Sequence, residues 1–456
     1  RALLALAKAA DGSMRDALSL LDQAIAHGAG QVDEAQVRSM LGSVDQDHLF
    51  SILEALPAGD AGALLQVAAN LALRGLSFAV ALQELAALLT RIQIVQCVPE
   101  AGDDDDPDRE RIQLLARALS AEFIQLAYQI VTVGRSELAL APDDPDVHFT
   151  RASHLLLVGR LDEGWREYEY RWASRERASA VKPPPTRLPR WSGEPIPHAG
   201  SALLVYSEQG FGDALQFVRY LPLAAARFER VGLVVKPPLR ALFARSFAGC
   251  AEVFAAPPDE SDWTHHCPLM SLPLAFETTL ATIPAQVPYL QPDPAAVRAW
   301  RTRLAALPGL KVGVNWTTGK RAVHKQSFEL SLRDLAPLFA FSGVAWISLS
   351  KEPLAPADAA LLAASGVHDW RDELADFDAT AALVAGLDLV ISVDTAVAHL
   401  AGALARPTWL LNRAESEWRW LLEREDSPWY PTMRLFRQRV PRQWDVPVEA
   451  VHAALR

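Results

Sequence analysis

Through residues 13 to 134 the apolar side chains recur three and four positions apart, whereas from Ser201 onward they gather in short solid runs. The first spacing lines side chains along one face of a helix; the second marks buried strands between turn residues. In ALSLLDQAIAH, for example, Leu18, Leu21 and Ile25 share one face. Breaks at HGAGQ, ALPAGD and AGDDDDPDRE divide this region into about five helices, an all-α bundle. Residues 144 to 172 then form two amphipathic segments parted by Gly159. Ala152 and Leu155 to Leu157 lie on the first, and Trp165, Tyr168 and Trp172 on the second. After a linker, SALLVY, VGLVVKPP, KVGVNW, VAWISLS, LDLVISV and PTWLL predict strands separated by helical stretches. Such alternation implies right-handed βαβ units and largely parallel sheets. The proline-rich break IPAQVPYLQPDP, residues 283 to 294, divides two doubly wound lobes of about 90 and 150 residues. The predicted organisation is a helical domain over 1–143, a helical hairpin over 144–176, a linker over 177–200, and α/β lobes over 201–292 and 293–456.

Composition sharpens the first boundary. All 13 tryptophans follow residue 164, and only four of the 31 prolines fall within the first 142 residues. Those 142 residues carry 19 acidic and 10 basic side chains, a net charge of −9, which leaves −2 of the total −11 for the remainder. An acidic helical domain is poorly suited to displacing counterions from phosphate backbones, so no direct nucleic-acid binding is expected. No apolar run reaches the roughly 20 residues of a membrane span. Starting at Arg1 without a leader-like segment, the chain reads as a soluble cytoplasmic fragment. Cys97, Cys250 and Cys267 are odd in number and far apart, as suits reduced thiols. His265, His266 and Cys267 lack a second ligand pair at zinc spacing, and Asp103 to Asp106 read as a solvated loop; no metal site is expected.

One candidate site is legible from the residues. In LDLVISVDTAVAHLAGALARPTWLL a strand ends at Asp394, and a helix begins at once through Thr395 and Ala396, with His399 one turn along. Asp or Thr there caps the helix; equally, a helix start offers free N–H groups and positive dipole potential to a diphosphate. Both readings stand on spacing alone.

Two resemblances bear on function. DGSMRDALSLLDQAI, VRSMLGSVDQDHLFSILEAL and LAYQIVTVGRSELALAPD resemble the bacterial DNA polymerase III clamp-loader subunit tau/gamma, from the end of its ATPase module through its helical collar, over residues 1 to 143. The resemblance makes Arg15 the sensor-2 arginine that reaches nucleotide phosphates. The phosphate loop GxxxxGK[ST] occurs nowhere in the chain, so this segment alone is not expected to hydrolyse ATP. Contacts with other clamp-loader subunits are its expected role.

Residues 144 to 456 resemble tetratricopeptide-linked glycosyltransferases of family 9, the heptosyltransferase-like kind. The hairpin has the pattern of one tetratricopeptide repeat, which normally needs stacked neighbours. The fold implied is GT-B-like, a pair of doubly wound Rossmann-type lobes with ligands outside the carboxyl ends of the strands. SEQGFGDALQFVRYLP matches the family's EQGxGDxLQFxRYLP and makes Asp213 the candidate base, with Glu208 in reserve; a plain cap is the alternative for Asp213. DTAVAHLAGALARP matches DTxxxHLAxAxxxP, which implies that Asp394, Thr395, Ala396 and His399 hold the donor's diphosphate. In TTGKRAVHKQSFELSL, Lys325 and Ser327 are the expected phosphate partners, separated by Gln326 where relatives have an RS or KS pair. The closing stretch EWRWLLEREDSPWYPTMRLFRQ suggests packing for Trp418, Trp420 and Trp429, and a cleft-bracing role for Arg424 and Arg434.

Together these imply transfer of a sugar, inverting and metal-independent, from a nucleotide-diphosphate donor to an unidentified glycan, lipid or protein acceptor. The nucleotide sugar is a co-substrate, and no bound cofactor is expected. A replication scaffold with a non-catalytic C-terminal module is the rival reading, and a lobe pair that only docks nucleotide sugars is a third. Two unrelated sequences are expected to meet within SELALAPDDPDVHF, residues 136 to 149, a stretch at home in both families.

Overall fold

Leu85, Leu88, Leu89 and Ile92 are spaced for one helical face, and all four are buried in the structure, a computed structural model. It describes residues 14–27, 32, 46–58, 60–73, 78–98, 108–140, 145–174, 181–317, 330–441 and 443–456. These fall into two compact units, Arg1–Asp144 and Pro145–Arg456.

Within the first unit the described residues form six helices: α1 (Met14–His27), α2 (Gln46–Ala58), α3 (Ala61–Leu73), α4 (Phe78–Cys97), α5 (Arg109–Ala118) and α6 (Ala121–Leu140). One core joins α2 to α6, centred on Phe50, Leu53, Leu89, Ile92 and Ile124. About five helices were expected. The break between α5 and α6 is the kind that periodicity misses, because apolar spacing runs on through it. It is made by Ser120, whose Oγ accepts the Phe123 N–H at 3.1 Å and starts a new helix. In α1, Leu18 and Ile25 are exposed and Ala24 is buried, so the apolar stripe read there faces outward. Asp103 to Asp106 lie outside the described residues.

The second unit opens with α7 (Pro145–Leu157) and α8 (Leu161–Tyr168), turned at Gly159 in a left-handed conformation (φ 83°) that glycine accepts without a Cβ clash. This hairpin finds its neighbours in the lobes. The Trp165 ring meets Trp418 edge-on at 5.3 Å and Phe217 at 6.2 Å, and its Nε1 donates to the Thr278 carbonyl at 3.0 Å. Trp420 and Trp429 are also buried, so these rings pack rather than line a surface.

The first lobe holds β1 (Ala202–Tyr206), β2 (Arg230–Val234), β3 (Glu252–Phe254) and β4 (His265–Pro268), in the order β3-β2-β1-β4. The second holds β5 (Leu310–Asn315), β6 (Val344–Ser348), β7 (His368–Asp369), β8 (Leu389–Val393), β9 (Thr408–Asn412) and β10 (Met433–Arg437), in the order β10-β9-β8-β5-β6-β7. Every pairing between these strands is parallel. β1 and β8 are buried along their whole length, which explains their solid apolar runs. Strand order reverses between β1 and β4 in one lobe and between β5 and β8 in the other; ligands of doubly wound folds bind at such switch points. The architecture is α/β, a GT-B-like lobe pair.

Candidate active site between the lobes

Both candidate segments leave strands at these switch points. Past β1 the chain turns through Gly210 into α9 (Phe211–Phe217); past β8 it passes Asp394 and Thr395 into α10 (Ala396–Ala403). The two helix starts touch. A Cβ placed on Gly212 would lie 2.9 Å from His399 Cδ2 and 3.7 Å from Ala396 Cα, so only glycine permits this approach. Asp213 is the next residue.

Asp213 is the third residue of α9, and Gly210 is its cap: the Gly210 N–H donates to Asp213 Oδ2 at 2.7 Å in a capping box. Its other oxygen, Oδ1, accepts from Nη2 of Arg419, which arrives from the second lobe. The Arg419 Nε donates to Gln216 Oε1 at 2.6 Å and its Nη1 to Glu417 Oε1, while its plane covers Trp418 at 4.2 Å. Burial works against that guanidinium's charge, yet the carboxylates of Glu417 and Asp213 more than offset it and raise its pKa.

At the other helix start, Thr395 occupies the cap position in extended conformation but makes no capping bond. Asn315 Nδ2, at the end of β5, donates to Thr395 Oγ1 at 3.0 Å, and Ser392 Oγ lies 3.2 Å from it. The hydroxyl is thereby held off the first-turn amides, which in any helix lack intrahelical partners. Burial raises the pKa of Asp394; Arg419 and Arg413 oppose that, and Asp213 reinforces it. Glu417 is likewise raised by burial, with Arg419 opposing and Asp394 reinforcing. His399 is buried, with Nδ1 2.9 Å from Tyr430 Oη and Nε2 3.9 Å from Asp394 Oδ1. Burial holds its pKa well below the usual value, so it is a neutral polar group beside the helix start.

Asp213, Asp394, Thr395, Ala396 and His399 are thus gathered in one region. Glu208 stands apart. Its side chain is only 2% exposed, paired with the wholly buried Arg171 at 3.1 Å and accepting the Met270 N–H at 3.2 Å; burial raises its pKa. Lys325 and Ser327 lie outside the described residues. Arg15 falls in α1, and its side chain is likewise outside the described residues. Arg424 and Arg434, expected to brace the cleft, pair instead with Asp426 and Glu425 of their own lobe. The bracing falls to Arg419 and to Arg219, whose Nη1 donates to the Trp429 carbonyl at 2.6 Å across the lobes. Arg419 stood in the quoted WRW triplet, flanked by rings that bury it; Asn315, closing a solid apolar strand, was a weaker signal.

Comparison with known proteins follows this division. Residues 1–30 match the DNA polymerase III clamp loader subunit ATPase lid domain, and residues 32–147 match DNA polymerase III subunits gamma and tau domain III. Residues 374–436, which include the β8–α10 turn, match glycosyltransferase family 9 (heptosyltransferase). Separate segments of this chain thus match models of two different families. Protein FlbA of Caulobacter vibrioides is 31% identical over 382 residues, covering 75% of this chain and 62% of FlbA. The DNA polymerase III subunit tau of Escherichia coli is 44% identical over 144 residues, covering 31% of this chain and 22% of that subunit. The chain therefore spans less than two thirds of either relative. Among solved structures, the E. coli ADP-heptose LPS heptosyltransferase II aligns with a TM-score of 0.40 at 14% identity, over 56% of this chain and 97% of that one. The family 9 segment supplies Asp394 through Arg419, and the clamp-loader segment coincides with the helical unit.

Proposed function

We propose that the lobes of the family 9 part form a glycosyltransferase that moves a sugar from a nucleotide-diphosphate donor to an acceptor hydroxyl with inversion. One observation carries this reading: the close approach at Gly212, which sets a carboxylate and an uncapped helix start beside each other at two switch points. The donor's diphosphate takes the amides at the start of α10, where the helix dipole favours negative charge. The acceptor oxygen attacks the anomeric carbon from the opposite side, its proton passes to Asp213, and the bond to the diphosphate breaks. Charge growing on the leaving diphosphate is met by those amides and, in this reading, by Lys325 and Ser327. Neutral His399 orients without adding charge. Glu208 is committed to Arg171 and is the weaker base candidate. The nucleotide sugar is a co-substrate, and the acceptor is a glycan, lipid or protein hydroxyl.

The test is incubation of the chain with radiolabelled UDP-, GDP- and ADP-sugars, following donor hydrolysis or transfer to added acceptors. Asp213→Asn is expected to lower turnover by about 10²- to 10⁴-fold with donor binding retained. Undiminished turnover in that variant removes Asp213 from the base role, and failure to bind any donor sinks the reading.

A second reading concerns the clamp-loader part alone. Leu126, Ile130 and Val133 form an exposed apolar stripe along α6, at the spacing of one helical face. It suits docking to other clamp-loader subunits, which co-purification with purified subunits tests; loss of binding in Ile130→Glu is expected. Both readings suit a cytoplasmic location.

A further inference from the structure

The turn that carries Arg419 is under backbone strain. Trp418–Trp420 form a single 3₁₀ turn, capped by Glu417 and closed by Leu421 at φ 51° and ψ −171°, a region that residues with a side chain rarely enter. Leu421 is buried there, next to the fully enclosed Trp420. Such strain persists only where surrounding structure over-determines it. What the turn achieves is the aim of one side chain. Glu417 grips the Arg419 backbone N–H at 3.1 Å and also its guanidinium, and Gln216 fixes Nε. The remaining nitrogen, Nη2, reaches Asp213.

We propose that Arg419 is a positioning residue for Asp213, orienting the carboxylate only while the second lobe is closed upon the first. The proposal rests on the reading of Asp213 as the base. Its anchor, Glu417, belongs to the second lobe and its object to the first, so opening the lobes withdraws the cation. The carboxylate then keeps only the Gly210 amide. The orientation of the carboxylate is thereby tied to closure, when a donor is enclosed and water excluded. The other groups facing this pair are Glu417 on the same turn, Asp394 and His399 from the β8–α10 segment, and Tyr168 from the hairpin. Burial keeps both the histidine and the phenol uncharged at neutral pH.

The test uses the full chain and whichever UDP-, GDP- or ADP-sugar it hydrolyses, with kcat and donor KM measured separately. Arg419→Met is expected to lower kcat by about 100-fold with little change in donor KM, since misplaced groups cost that much. Arg419→Lys keeps the charge but not the planar fork; it should lower kcat with little change in donor KM, and it serves where the methionine variant does not fold. A double-mutant cycle of Asp213→Asn with Arg419→Met in urea denaturation should be non-additive. A raised donor KM with unchanged kcat would make Arg419 a donor ligand and overturn the proposal. So would additivity, or wild-type kcat in both Arg419 variants. If Asp213→Asn itself turns over normally, the base reading fails first; an inactive Asp213→Asn beside fully active Arg419 variants defeats only the positioning role.

Discussion

His399 lies against the Trp420 ring, centroids 5.3 Å apart, and shares a hydrogen bond with Tyr430 at 2.9 Å. Burial depresses its pKa in the fold, whereas in the unfolded chain the imidazole titrates at its ordinary value near 6.5. The unfolded state therefore binds the extra proton first. His399's stability contribution is complete above about pH 6.5 and is lost as pH falls toward the folded value. Buried carboxylates with raised pKa act in the opposite sense, so the informative quantity is a difference. Wild type should lose more unfolding free energy than His399→Gln between pH 7 and pH 5, measured by urea denaturation. Gly212 gives a sterically defined test beside it. Alanine there would press on His399 at 2.9 Å, and forced repacking in a dense core costs about 1–3 kcal/mol. Gly212→Ala should lower stability by that order and weaken donor turnover.

Between elements, the buried pair of Arg171 and Glu208 fastens the hairpin to the turn that follows β1. Ser271 adds a bond to Arg171 at 2.6 Å. Arg171 also pairs with Glu169 at 2.8 Å, but Glu208 has no second cation among the described residues. Removing Arg171 leaves Glu208 buried without its partner, a loss of about 3–5 kcal/mol, whereas replacing both with apolar residues costs less. Arg171→Met should fall in that range in urea, and Arg171→Met with Glu208→Met should recover most of it. Legibility at this scale followed burial. The solid runs of β1, β2, β5, β6, β8 and β9 announced themselves, because strands enclosed on both faces need apolar side chains throughout. β3, β4, β7 and β10 were not anticipated. β7 is two residues long, and β4 begins with two histidines, so sheet hydrogen bonding from a neighbour, not local pattern, makes them strands.

For the whole molecule, the gathered site residues all belong to the second unit, Pro145–Arg456. Residues 145–456 expressed alone should hydrolyse the same donor with the same KM as the full chain; loss of turnover on removing 1–144 would mean that the helical unit contributes to catalysis. The hairpin cannot be removed in the same way. Trp165 is enclosed by rings from both lobes, and Trp165→Ala should cost about 3–5 kcal/mol in urea denaturation of the fragment.

Apolar spacing, tryptophan distribution and charge separated a helical part from an α/β part. Short motifs placed Asp213 and Asp394 through His399 at strand-to-helix turns, because helices, strands and their caps are written in residues a few positions apart. The partner of each charge was a different matter. Asp213 meets Arg419 across 206 residues, and Glu208 meets Arg171 across 37. Attraction between opposite charges depends on separation in space and on exclusion of water, neither of which leaves a fixed spacing in sequence. Only the packing of hairpin and lobes decided which arginines entered the site and which stayed at the surface.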